Sequence, residues 1–285
     1  MKAMKIILTL IFAGGFVACA FLTLGPSCEV QKEVLARGDF EVNISKYQQT
    51  GTEKKTLILI PPTGGTNYID RRYAEKFCKK GYAVTILNSW SGQDEVSYEL
   101  ELHQRFYSGA QRAITAVIEE IRKGGPDRQI GVLGTSVGAL HAMVAASLQK
   151  EVSAVFSIVG GASIAEVVAT SDQKAMQTLR EERKKLYGIQ TTEQHIKAIN
   201  GALHLDPFAA NSTLGDQHQN KKLGLAIADQ DTTVTTATQK ELEKRWQPQV
   251  VIQISGGHFW GIVKTWLFHV DEVVKFFEDA FASKP

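Results

Sequence analysis

Cysteine is scarce. The 285-residue chain carries three, Cys19, Cys28 and Cys78, too few for a disulfide framework, and no pair has the spacing of zinc ligands. Cys78, late in the helical stretch "AEKFCKKGY", reads as a semi-buried structural residue. A bridge to Cys28 stays open if the chain resides in an oxidising compartment. Charge of either sign is not in excess: the formal net charge is +2. The one dense basic run, "REERKK" at 180–185, alternates with glutamate and reads as a solvated helix face. Nucleic acid is therefore excluded as a partner. There is no internal repeat, no low-complexity tract and no linker that would divide the body of the chain.

What is present begins with an apolar run. Lys2 and Lys5 precede Ile6–Leu24, a positive n-region followed by an h-region, as in an export signal. Ala18-Cys19-Ala20 fits a small-x-small cleavage site. Lipidation at Cys19 or Cys28 is one rival reading. An uncleaved anchor is another, because the run is just long enough to span a bilayer, which needs about 20 residues. Residues 1–28 are thus expected to be a signal peptide or a membrane or lipid anchor, with membrane attachment through this segment. The body, residues 29–285, is expected to be exported: periplasmic, secreted or membrane-anchored.

Beyond that segment "FEVNISKY" alternates as a half-exposed strand does and is expected to start the sheet. "TLILIPP", "YAVTILN", "QIGVLG", "SAVFSIVG", "LGLAIAD" and "QVVIQIS" are mostly continuous apolar runs of strand length, suited to parallel strands covered on both faces. Helical patterns at 69–80, 97–123, 137–149, 162–202, 234–246 and 261–281 alternate with them. The expectation is a single α/β domain with a mostly parallel central sheet and helices on both faces. The region at about 162–203 exceeds one crossover and is expected to form a small helical cap.

"QIGVLGTSVGALHAM" carries three glycines at a strand-to-helix turn, a geometry that either holds a phosphate or exposes a nucleophile. No lysine follows Gly138, as a Walker loop requires, and the spacing is not that of a dinucleotide fingerprint, which disfavours a nucleotide-dependent oxidoreductase. Gly134-Thr135-Ser136-Val137-Gly138 is G-x-S-x-G, with the serine on a strained turn and glycines where strand and helix crowd together. A serine alcohol needs a base, and the base an orienting carboxylate. "LAIADQDTTV" supplies Asp231 and "VIQISGGHFW" supplies His258, each after a later strand. Asp229 competes for the carboxylate role, but it is still finishing its strand. The other histidines are weaker bases: His141 lies around its helix from Ser136, His103, His195 and His269 lie in amphipathic stretches, and His204 and His218 in loops.

These residues resemble the α/β-hydrolase superfamily, and "LDPF" (205–208) with the short cap resembles its dienelactone hydrolase-related branch of esterases. The resemblance implies the α/β-hydrolase fold and a Ser-His-Asp triad of Ser136, His258 and Asp231. The chain departs from true dienelactone hydrolases, which carry cysteine in place of Ser136. In the loop "PPTGG" after the "TLILI" strand, the prolines have no N–H. The oxyanion donors would then be Val137 with Thr63 or Gly64. Trp90, Tyr68 and Trp260, the last with Phe259 beside the base, are candidate substrate-binding residues. The expected activity is hydrolysis of a small-molecule carboxylic ester through an acyl-enzyme, with no metal or other cofactor. A peptidase or thioesterase with the same triad, and a non-catalytic exported binding protein, are the alternatives.

Overall fold

The computed structural model describes residues 27–282 except 96, 210, 211, 213, 215 and 216. The expected signal or anchor, apart from residues 27 and 28, lies outside them. Strands β1 (Glu29–Arg37), β2 (Phe40–Gln48), β3 (Lys55–Ile60), β4 (Tyr82–Trp90), β5 (Gln129–Thr135), β6 (Val152–Ile158), β7 (Lys222–Ala228) and β8 (Val250–Ile254) form one sheet. Its order is β1-β2-β4-β3-β5-β6-β7-β8. β2 runs antiparallel to both of its neighbours, and every pairing from β4 to β8 is parallel.

The sheet therefore starts one strand earlier than "FEVNISKY" suggested. β1 is an edge strand in which Leu35 alone is fully buried, so neither periodicity nor apolar content marks it. It is fixed by full antiparallel register with β2, from Glu29 opposite Gln48 to Arg37 opposite Phe40, across a turn in which Gly38 takes φ +67°. Cys28, just before it, is joined to Cys78 by a disulfide. That sulfur is no longer free for lipidation, and Cys78 is a bridge residue, not a lone core thiol.

The strands alternate side chains between two cores. Leu57 and Leu59 of β3 join one with Tyr73, Phe77, Phe277 and Phe281, under α1 (Tyr68–Lys79) and α8 (His258–Ala282). Ile58 and Ile60 join the other with Ile114, Val117, Met143 and Leu242. That side is covered by α2 (Leu102–Lys123), α3 (Val137–Leu148) and α7 (Thr236–Trp246). Each such fully buried side chain contributes about 1.5–3 kcal/mol, so the two faces fix the register of every central strand. Helices on both faces of a mostly parallel sheet are as the sequence indicated.

Between β6 and β7 lie α4 (Ile164–Thr170), α5 (Lys174–Tyr187) and α6 (Thr192–Ala202), with a 3-10 turn at Gln217–Asn220. Asp206 of the "LDPF" stretch is fully buried and accepts the N–H groups of Ile164 (2.7 Å) and Phe208 (3.0 Å). It thus ties the start of α4 to the chain that returns to β7. The solvated reading of "REERKK" fails at one residue. Arg183 is completely buried and donates to the carbonyls of Tyr98 and Glu99 and to Nε2 of both His103 (2.7 Å) and His195 (3.2 Å). Burial and the neighbouring guanidinium hold the two imidazoles down, to about 3 and about 4, so both are neutral acceptors. Among the described residues no helix is long and apolar enough to cross a membrane.

Candidate active site

β5 ends at Thr135 and α3 begins at Val137, so the chain reverses within a single residue. Ser136 takes φ +57° and ψ −119°, a region that costs a non-glycine residue of order 1–3 kcal/mol. The flanking glycines are obligatory. A Cβ on Gly134 would lie 2.2 Å from the Gly138 carbonyl oxygen, and one on Gly138 would lie 2.1 Å from the Ile60 oxygen. The turn is held by the Ser136 N–H donating to Ile158 (2.9 Å) and by the Ser136 carbonyl accepting from Ala139 (2.9 Å). Its side chain caps nothing in α3.

That side chain meets the imidazole of His258, with Oγ 2.8 Å from Nε2. Nδ1 of His258 lies 2.7 Å from Oδ2 of Asp231. Asp231 follows β7, and its carboxylate is fully enclosed. Oδ1 accepts the N–H groups of Thr233 (2.9 Å) and Val234 (3.0 Å), while Oδ2 also accepts from Nε2 of Gln239 (2.8 Å). With every lone pair occupied, the carboxylate is held in one orientation. His258 opens α8, three residues earlier than the helical pattern indicated. Asp229, the rival carboxylate, is exposed and accepts the Gly256 N–H (2.8 Å). It braces the loop that carries His258 and does not touch the imidazole.

The close approach of Gly138 to the end of β3 brings Val137 beside the loop Pro61-Pro62-Thr63-Gly64-Gly65. Together they line a cavity of about 110 Å³, which also includes Trp90, Asp94, Phe106 and His141 in its wall. Gly65 donates its N–H to the Pro62 carbonyl (3.2 Å), and Pro61 and Pro62 have none. Thr63 and Gly64 are then the loop's remaining donors.

The three aromatic candidates separate. Trp90 lines the cavity, with its ring against His141 and Phe106. Tyr68 and Trp260 do not: they are 65% and 53% exposed. Trp260 lies two positions after His258, about 200° around the helix, so the two side chains leave on opposite sides. Tyr68 begins α1, with the Arg72 guanidinium 5.9 Å from its ring.

Gln239, Asp172 and His141 are site residues that the sequence did not disclose. Asp172, in the turn between α4 and α5, accepts the hydroxyls of Thr232 and Thr233, which keep its carboxyl below the usual range. It thereby latches the inserted helices to the loop that carries Asp231. A polar residue in a helix or turn gives no signal of such a partner until the chain is folded. Among the described residues no group of three or more His, Cys, Asp or Glu side chains is placed to hold a metal ion.

Residues 121–260 match the family model described as BAAT / acyl-CoA thioester hydrolase C terminal. No curated protein matches the chain significantly. Solved structures do. The Pyrococcus furiosus esterase Pf2001 is similar at 19% identity and TM-score 0.60, over 88% of this chain and 91% of that one. Est1E from Butyrivibrio proteoclasticus is similar at 14% identity and TM-score 0.60, over 88% and 99%. The Pyrococcus horikoshii acylaminoacyl peptidase is similar at 17% identity and TM-score 0.64, over 92% of this chain but 43% of its own. With its strand order, its elbow after β5 and these structural likenesses, the chain is a protein of the α/β-hydrolase fold.

Proposed function

We propose that the protein is a serine hydrolase that cleaves carboxylic esters through an acyl-enzyme. The observation that carries this reading is the unbroken relay of Ser136 to His258 at 2.8 Å and His258 to Asp231 at 2.7 Å. Asp231 holds the Nδ1–H tautomer of His258, so that Nε2 presents its lone pair to Ser136. As Oγ attacks the ester carbonyl, Nε2 takes the hydroxyl proton and Asp231 stabilises the imidazolium. The developing oxyanion is held by the N–H of Val137 and by that of Thr63 or Gly64. Each such donor contributes about 2.7–4 kcal/mol to the barrier reduction. His258 then gives its proton to the leaving alkoxide. Water, deprotonated by the same nitrogen, attacks the acyl-enzyme and releases the acid.

The family match favours a thioester as a second substrate class, handled by the same residues with a thiolate as leaving group. The helices α4–α6, latched by Asp172, act as a small cap over the site. The apolar run at 6–24 and the Cys28–Cys78 bridge support an exported protein, because disulfides persist in oxidising compartments. The test is kcat/KM on p-nitrophenyl esters, matched acyl-CoA thioesters and acylated peptides, for the wild type and Ser136→Ala. The proposal expects turnover of oxygen esters that the substitution removes. Turnover of peptides alone, or ester turnover that survives in Ser136→Ala, would overturn it.

A further inference from the structure

A surface helix keeps its apolar side chains on the face that meets the core and leaves the outer face polar. α8 departs from that pattern over its first three turns. Its inner face is built from Thr265, Val273, Phe276 and Phe277, all buried. On the outer face Trp260, Leu267 and Phe268 are 53%, 57% and 70% exposed, within about 100° of one another around the helix. Trp266, on the flank, packs edge-on against Tyr73 of α1 at 4.9 Å. Lys264 donates to the Ser255 carbonyl beyond β8 (2.6 Å). The stripe therefore faces away from both α1 and the sheet. Phe259, also exposed, stands beside Trp260 with ring centroids 5.6 Å apart. The three rings leave roughly 300–500 Å² of apolar surface in water, a size at which a patch on a folded chain marks an interaction site.

The charges along the stripe select its partner. Lys264 lies one turn before Phe268 and Asp271 one turn after Leu267, both on the line of the stripe. The Asp271 side chain is 80% exposed, and the Lys76 ammonium 2.8 Å away holds its carboxyl below the usual range. An antiparallel pair of α8 helices, related by a two-fold axis between Leu267 and Phe268, gathers those two residues of both copies at the axis. The same operation sets Lys264 against the partner's Asp271, and Asp271 against the partner's Lys264, as an isologous contact requires. Cation thus meets anion twice. Covering Trp260, Leu267 and Phe268 in both copies removes roughly 600–800 Å² from water, about half of the ~1,600 Å² of a standard interface. Contact of that size suits a reversible dimer. An anionic bilayer fits less well, because Asp271, Glu272 and Asp279 share the exposed side, where helices that lie on membranes carry Lys and Arg.

We infer that the outer stripe of α8 is a homodimer surface, on which a second copy of this chain packs its own α8 antiparallel and pairs Lys264 with the partner's Asp271.

The experiment is sedimentation velocity across a concentration series on the full chain, as wild type, Leu267→Glu, Phe268→Glu, Lys264→Glu, Asp271→Lys and the double variant Lys264→Glu/Asp271→Lys, with circular dichroism to confirm folding. All four positions lie on the surface, so the fold should be retained. The wild type is expected to show a reversible monomer–dimer equilibrium in the micromolar range. Leu267→Glu and Phe268→Glu should each weaken it by at least about 100-fold. Either charge reversal alone sets like charges against each other twice and should weaken it by about 10-fold, and the double variant should return to within about 3-fold of the wild type. A wild type that stays monomeric would overturn the inference, as would a dimer that survives Leu267→Glu and Phe268→Glu, or a double variant that recovers nothing. Flotation with phosphatidylcholine–phosphatidylglycerol vesicles tests the other occupant. A monomeric wild type that floats with them, and floats less as Phe268→Glu, would assign the stripe to a membrane and overturn the dimer.

Discussion

Replacing Asp231 by Asn changes one atom, and the structure fixes what that atom must do. In the wild type Oδ1 accepts from the Thr233 and Val234 amides, and Oδ2 faces Nε2–H of Gln239 and Nδ1 of His258. The new NH₂ has two orientations. Against the backbone amides it meets two donors, and on the other side it meets one, Gln239. The second orientation is therefore favoured, and it donates to Nδ1 of His258. The imidazole must then carry its proton on Nε2, directed at Ser136 Oγ, where a lone pair is needed. Loss of the correct tautomer costs about 10⁴-fold in kcat, which is about 5 kcal/mol of barrier. The mismatched Gln239 contact should lower stability by about 1–3 kcal/mol. Stopped assays with a p-nitrophenyl ester, paired with urea denaturation, measure both quantities. A variant within tenfold of wild-type kcat would refute the orienting role of Asp231, whatever its stability.

Three further outcomes are expected. Gly138→Ala forces a methyl to within 2.1 Å of the Ile60 oxygen. It should destabilise by at least about 1–3 kcal/mol and, by moving Val137 off the loop at Thr63, reduce kcat more than it raises KM in steady-state assays. Cys28→Ser opens a bridge of sequence separation 50 and should lower the unfolding free energy in urea by up to about 4 kcal/mol on the chain-entropy account, with kcat unchanged. Burial raises the Asp70 carboxyl from 3.8 to about 6. A carboxyl whose folded pKa is raised contributes stability that is present below its unfolded value and lost as pH rises through the folded one. Wild-type stability should therefore carry a loss of up to about 3 kcal/mol between pH 4 and pH 6, and Asp70→Asn should flatten that slope in denaturation midpoints taken across the range.

The central strands were legible because a parallel sheet covered on both faces writes itself as continuous apolar runs. β3 is one, with Leu57 and Leu59 serving one core and Ile58 and Ile60 the other. β1 was not legible, since its side chains are mostly in water and its identity rests on backbone pairing alone. The elbow was legible because its backbone admits only glycine at 134 and 138. Ser136, Asp231 and His258 could be chosen from their places after β5, β7 and β8, and they converge. The polar residues that brace them were hidden. Gln239, Asp172 and Arg183 have partners 8, 60 and 80 or more positions away, and nothing in a helical polar residue tells whether it meets water or a buried carboxylate. Exposed Tyr68 and Trp260 show the converse: aromatic content near a site does not fix the direction of the side chain.

Treatment of the folded wild type with a fluorophosphonate, followed by peptide mass spectrometry, puts the activated serine to its most direct trial. The account predicts a single stoichiometric adduct on Ser136, absent in Ser136→Ala and slowed by orders of magnitude in His258→Ala. A folded wild type that forms no adduct, or one that forms it equally fast without His258, would contradict it.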